Sequence, residues 1–196
     1  VADATATAYC FIKMMDMTAW KDAAAAEAEI PELDKDNPVV KTRKYHIILL
    51  AQNYVGLKNL YQLISRSNLD YFYRKPGIPK SLLHKYREGI IVGSACESGE
   101  LYRAIINKKS EDKLAEIAKF YDYLEIQPLG NNAFMKRNGQ VRDDNELIEI
   151  NKKIVSIGDK IGRKTVATCD VHFLDPKDEM YRRVLMGAQG FEDADN

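Results

Sequence analysis

From residue 45 onward the chain alternates two apolar patterns. Tyr45-His46-Ile47-Ile48-Leu49-Leu50-Ala51, Gly89-Ile90-Ile91-Val92-Gly93-Ser94, Tyr123-Leu124-Glu125-Ile126-Gln127 and Thr165-Val166-Ala167-Thr168 are short runs of strand length. A nearly unbroken apolar run is the mark of a strand covered on both faces. Helical spacing lies between the runs. Leu57, Leu60, Tyr61 and Ile64 fall at i, i+3, i+4 and i+7 and predict a helix over 54–66. Ser110 caps a helix whose stripe is Leu114, Ile117, Ala118 and Tyr121. Asp143-Asp144 opens a long helix through Leu147, Ile150, Ile154, Ile157 and Ile161, ended by Gly162. Shorter helices are expected at 81–86, 99–107 and 176–187, and loops at 70–79 and 130–139. Strands separated by helices predict an α/β fold with parallel buried strands. Four strands are too few for a closed eight-stranded barrel, so half of a barrel or a small open sheet is expected.

The first 44 residues differ in character. Ala4, Ala6 and Ala8 favour a helix over 4–18, with Tyr9, Phe11, Ile12, Met14 and Met15 on a broad apolar side and Asp3 at its N-cap. So apolar a helix needs a partner that the chain does not obviously supply. Residues 20–44, with Pro31 and Asp34-Lys35-Asp36-Asn37-Pro38, read as a linker.

Charge and cysteine content narrow the classes. Lys plus Arg and Asp plus Glu both number 29, so the formal net charge is zero and the simplest argument for nucleic-acid binding is removed. Three scattered cysteines argue against a disulfide framework and fit a reducing cytosol. No apolar run approaches the length of a membrane span. The two ends, Val1 and Asn196, read as cut rather than natural.

The candidate chemistry clusters at strand ends. Asp170 and His172 follow the fourth strand; two residues apart in extended chain, they would point the same way, as metal ligands or simply as a turn cap and a loop residue. Cys96 follows the second strand, as a ligand or nucleophile or as a small buried hydrophobe. His46 begins the first strand, as a ligand or an edge residue. Glu125 interrupts an otherwise apolar strand and needs a partner or a place facing the site. Cys10 and Cys169 read as structural, and His84 as surface. Tyr71, Phe72, Tyr73, Arg74, Lys75 and Lys80 form an aromatic and basic loop, open to nucleic acid or to ordinary packing. There is no Walker loop and no GxGxxG.

Taken in order, Tyr45–Asn53 with Gly56-Leu57-Lys58-Asn59-Leu60, Gly93-Ser94-Ala95-Cys96-Glu97-Ser98-Gly99-Glu100 and Val166-Ala167-Thr168-Cys169-Asp170-Val171-His172-Phe173-Leu174 resemble the second half of a PHP (polymerase and histidinol phosphatase) domain. Tyr71-Phe72-Tyr73-Arg74-Lys75-Pro76, Lys119–Glu125 and Tyr181-Arg182-Arg183 narrow the resemblance to PolC-type DNA polymerase III alpha subunits of low-GC Gram-positive bacteria. The resemblance implies part of a distorted β/α barrel, preceded by one helix from a DEDDh-class 3′–5′ exonuclease. It divides the chain into the exonuclease end (1–19), a linker (20–44) and the C-terminal half of PHP (45–196). It makes His46, Cys96, Asp170 and His172 ligands of a divalent metal (Zn, Mn or Fe), and Asp3 a catalytic carboxylate of an exonuclease site using Mg or Mn. Thr5 departs from the acidic residue expected near that helix start. The remaining ligands of both sites, and the polymerase palm, would lie outside these residues. The implied partners are DNA, dNTPs and replisome proteins such as the sliding clamp, with no membrane, in the cytoplasm. The implied whole is a DNA-directed DNA polymerase with proofreading exonuclease, of which this piece alone is inactive. A stand-alone PHP-type metal-dependent phosphoesterase and a non-enzymatic interaction module are the alternatives.

Overall fold

The computed structural model describes residues 42–190. The expected helix at 4–18, Asp3, Cys10 and most of the linker lie outside the described residues. The described residues divide into two compact units, one comprising 42–43 with Lys58–Tyr86, the other Lys44–Leu57 with 87–190.

The second unit is a four-stranded sheet with helices. Strand β1 is Ile48–Ala51, β2 is Ile90–Gly93, β3 is Tyr123–Ile126 and β4 is Lys164–Ala167, hydrogen-bonded in the order β1-β2-β3-β4. Strands β2, β3 and β4 are parallel, with Gly93 opposite Tyr123 and Glu125 opposite Val166. The parallel expectation fails at β1, which runs antiparallel to β2 with Leu49 opposite Val92. The physical reason is the connection: residues 58–86 of it belong to the other unit, and a chain returning from so long an excursion is not held to a βαβ crossover. Burial also differs from expectation. Strands β2 and β3 are covered, but both edge strands are largely exposed, with Leu50 at 48% and Val166 at 37%. A continuous apolar run records what a strand can bury, and an edge strand has a neighbour on one side only.

Several helix ends follow their local signals. Helix α1, Tyr54–Leu69, starts where Asn53 Oδ1 accepts the Gly56 N–H at 2.9 Å. Its apolar face is not the one predicted. Tyr61 and Ile64 are exposed, and Gly56, Leu63 and Ser67 are the buried positions. At the start of α1 an added Cβ on Gly56 would stand 1.8 Å from the Gly89 carbonyl oxygen, so the two backbones touch there. Helices α3 (Glu100–Ile106), α4 (Glu111–Ala118) and the long α6 (Asp144–Ile161) pack around Leu101, Leu114, Leu124 and Ile154, each at most 2% exposed. Asp143 caps α6 by accepting the Glu146 N–H at 3.0 Å, and Gly162 ends it at φ 70°. The expected loop at 130–139 is a 3₁₀ turn, Leu129–Asn132, followed by the short helix α5, Phe134–Arg137. One fully buried side chain, Met135, anchors it, a tertiary contact that its polar neighbours conceal. After β4 come a 3₁₀ turn, Pro176–Asp178, and helix α7, Glu179–Ala188, whose Met180, Tyr181, Val184 and Leu185 are exposed. In the first unit, α2 (Lys80–Lys85) buries Leu83, and the Arg66 guanidinium lies over the Tyr86 ring.

Candidate functional site

Two loops at the strand ends carry the candidate residues. The first follows β2. Ser94 and Ala95 are buried, and Ala95 takes a left-handed φ of 59° that a non-glycine residue adopts only under constraint. The turn closes when the Gly99 N–H donates to the Cys96 carbonyl at 2.8 Å. His46 is bound to the same turn: its N–H donates to the Ser98 carbonyl at 3.1 Å, and it forms a bridge with Gly99. The result brings the Cys96 Sγ within 3.4 Å of the His46 Nδ1, across 50 residues of sequence. Burial pushes the Cys96 thiol up to about 11, and nearby Glu97 acts in the same direction. Without a metal this cysteine is a protonated thiol at neutral pH and a poor nucleophile.

The second loop follows β4. The Thr168 N–H donates to the Ile126 carbonyl at 3.0 Å, and Asn131 Nδ2 donates to the Cys169 carbonyl at 2.7 Å. Asp170 then turns at φ 49°, so the chain is not extended there and the expected common direction of Asp170 and His172 does not hold. Instead the His172 ring donates from Nδ1 to the Asp170 carbonyl at 2.6 Å. That bond assigns the proton to Nδ1 and leaves Nε2 as the available ligand atom. Both residues are exposed. His84 is exposed on α2, and Cys169 is an exposed free thiol.

The structure therefore pairs His46 with Cys96 and pairs His172 with the Asp170 backbone. Among the described residues no three His, Cys, Asp or Glu side chains gather closely enough to hold a metal ion. The imidazole and thiol of His46 and Cys96 suit one corner of a soft divalent site. As placed, the described residues do not make up a metal centre. Residues that spacing did not single out, Ser94, Gly99, Asn131 and Thr168, hold the two loops in position; Ser94, Gly99 and Thr168 are signalled in sequence by nearness to the candidate ligands, and Asn131 by nothing. Among the described residues no helix is long and apolar enough to cross a membrane.

Comparison with known proteins bears on what this arrangement belongs to. The family model described as PHP domain matches residues 11–128. The "DNA polymerase III PolC-type" of Clostridium perfringens is 55% identical over 158 residues, which is 81% of this chain and 11% of that protein. That of Caldanaerobacter subterraneus subsp. tengcongensis is 50% identical over 196 residues, 100% of this chain and 14% of that protein. That of Bacillus subtilis is 41% identical over 190 residues, 97% of this chain and 13% of that protein. The chain thus spans less than a sixth of the length of these relatives. With more than half of its residues under the family model and close relatives along its whole length, the chain belongs to the PHP domain family and is similar throughout to part of PolC-type DNA polymerase III.

Proposed function

We propose that the chain is a segment of a bacterial replicative DNA polymerase III of the PolC type, a DNA-directed DNA polymerase with 3′–5′ proofreading exonuclease activity. The observation that supports it is 50% identity to such a protein across all 196 residues, at 14% of that protein's length. In this reading residues 1–19 end an exonuclease domain and contribute Asp3, 20–44 are a linker, and 45–196 are the C-terminal half of a PHP domain. His46, Cys96, Asp170 and His172 are one half of a divalent-metal site, for which Zn, Mn or Fe suits the mixed nitrogen, sulfur and oxygen donors. The other half comes from outside these residues, which accounts for two ligand pairs in place of a complete centre. DNA, dNTPs and the sliding clamp are partners of the parent protein, in the cytoplasm.

Primer extension and mismatch excision test this directly. The full-length parent is expected to add templated nucleotides and to excise mismatched 3′ ends, and the isolated 196 residues to do neither. Templated incorporation by the isolated chain, or none by the parent, overturns the reading. Two or three tightly bound metals per isolated chain, found by mass spectrometry together with phosphomonoester hydrolysis, would replace it with a stand-alone phosphoesterase.

A further inference from the structure

Glu125 is the third residue of β3 and only 6% exposed. A carboxylate buried there is costly unless it is well hydrogen-bonded. Its satisfaction is incomplete. Oε2 accepts one bond, from Thr168 Oγ1 at 3.0 Å, and Oε1 has no aligned donor. The Tyr123 hydroxyl and Oε1 both crowd the Gly93 Cα, where an added Cβ would stand 2.4 Å and 2.6 Å from them. An apolar residue would fill this buried position without leaving a carboxylate oxygen unbonded.

Glu125 bonds toward both strand exits, through its backbone N–H on one side and through its carboxylate on the other. Its N–H donates to Ser94 Oγ at 2.9 Å. Ser94 is the first residue after β2, two before Cys96. Its side chain takes the hydroxyl of Thr168, the first residue after β4, two before Asp170. The parallel register sets Gly93 opposite Tyr123 and Val166 opposite Glu125, so the two strand exits flank β3 within two residues of Glu125. Each exit then enters a left-handed residue, Ala95 on one side and Asp170 on the other. One buried residue therefore ties down both candidate loops just ahead of their constrained turns.

We infer that Glu125 is a positioning residue that couples the loop carrying Cys96 to the loop carrying Asp170 and His172, at a cost to the stability of β3. The inference rests on the proposed reading that both loops serve one site. Hydrogen–deuterium exchange of the full 196-residue chain tests it. Glu125→Met removes the acceptor of Thr168 and keeps the volume; Thr168→Val removes the donor from a half-exposed position and guards against a variant that fails to fold; both leave the backbone bond to Ser94 in place, so any change at 94–98 reports coupling through β3. Both are expected to speed amide exchange at 94–98 and 168–172 by roughly fivefold or more, while α6 keeps its parental rates. The melting temperature of Glu125→Met is expected not to fall, because a partly satisfied carboxylate has left the core. Glu125→Gln keeps an acceptor for Thr168 and is expected to retain slow exchange. Unchanged rates in either loop, or equal acceleration in the loops and α6, overturns the coupling. Cobalt(II) titration of the full-length parent, read by the thiolate charge-transfer band, separates the two ideas. No Cys96-dependent band overturns the metal reading, and exchange still decides the coupling.

Discussion

Replacing Gly99 with alanine tests whether the turn that pairs Cys96 with His46 has any slack. Gly99 has φ −72° and ψ 158°, values open to any residue, so the substitution acts through space and not through backbone preference. An alanine Cβ would stand 2.3 Å from the Ser94 carbonyl oxygen and 3.0 Å from that of Cys96. The Ser94 carbonyl must retreat by about 1 Å to reach ordinary contact. Both partners are backbone, and such overpacking costs about 1–3 kcal/mol. For a chain of this size that lowers the melting temperature by roughly 3–10 °C. The site should respond as well. A thiol at about 11 is ionised to about one part in a thousand at pH 8, whereas an unburied thiol near 8.5 is about one-quarter ionised. The lower nucleophilicity of the more acidic thiol offsets part of that gain, leaving an increase in Cys96 alkylation of about tenfold. Iodoacetamide labelling with peptide mapping reads Cys96 apart from the exposed Cys169. Gly130→Ala is the control, since its Cβ would meet nothing within 4 Å. It should be neutral or stabilise by about 0.4–1 kcal/mol through the unfolded chain. If Gly99→Ala melts within about 1 °C of the parent and Cys96 alkylates at the parental rate, the steric reasoning about this turn is refuted.

Other expectations concern the scaffold. Asp143→Ala removes the cap of α6 and should cost about 1 kcal/mol by urea denaturation, without changing Cys96 alkylation. Leu124→Ala empties the centre of β3 and should cost about 2–5 kcal/mol by the same measurement. Burial pushes Tyr102 and Tyr123 up to about 12, and Tyr121 upward too; Glu97 adds to the first, Glu125 to the second and Glu100 to the third. The native state then holds these phenolic protons more tightly than the unfolded chain, where tyrosine titrates near 10. Their contribution is fully present below about pH 9 and is lost as pH rises from about 10 through 12. Denaturant midpoints that stay level from pH 8 to 12 would contradict this.

Helix α6 was legible from residue types alone. Its cap at Asp143, its stripe from Leu147 to Ile157 and its stop at Gly162 are interactions within one turn or along one face. The existence of β2 and β3 was legible for a related reason, since only a strand covered on both sides tolerates such runs. The direction of β1 was not legible, because it depends on where residues 52–89 travel. Nor was the close approach of Gly56 to Gly89, which joins residues 33 apart in sequence.

The site divides in the same way. Residue order alone singled out the candidates and put each beside a strand: His46, Cys96, Asp170 and His172, with Glu125 as a charge out of place in an apolar strand. Those are properties of residue type and of short-range pattern. Tertiary structure alone decided that His46 and Cys96 meet at 3.4 Å, that Asp170 turns left-handed and gives its carbonyl to His172, and that Glu125 bonds both strand exits. Each is a contact set by strand register and loop closure, which periodicity along the chain does not encode.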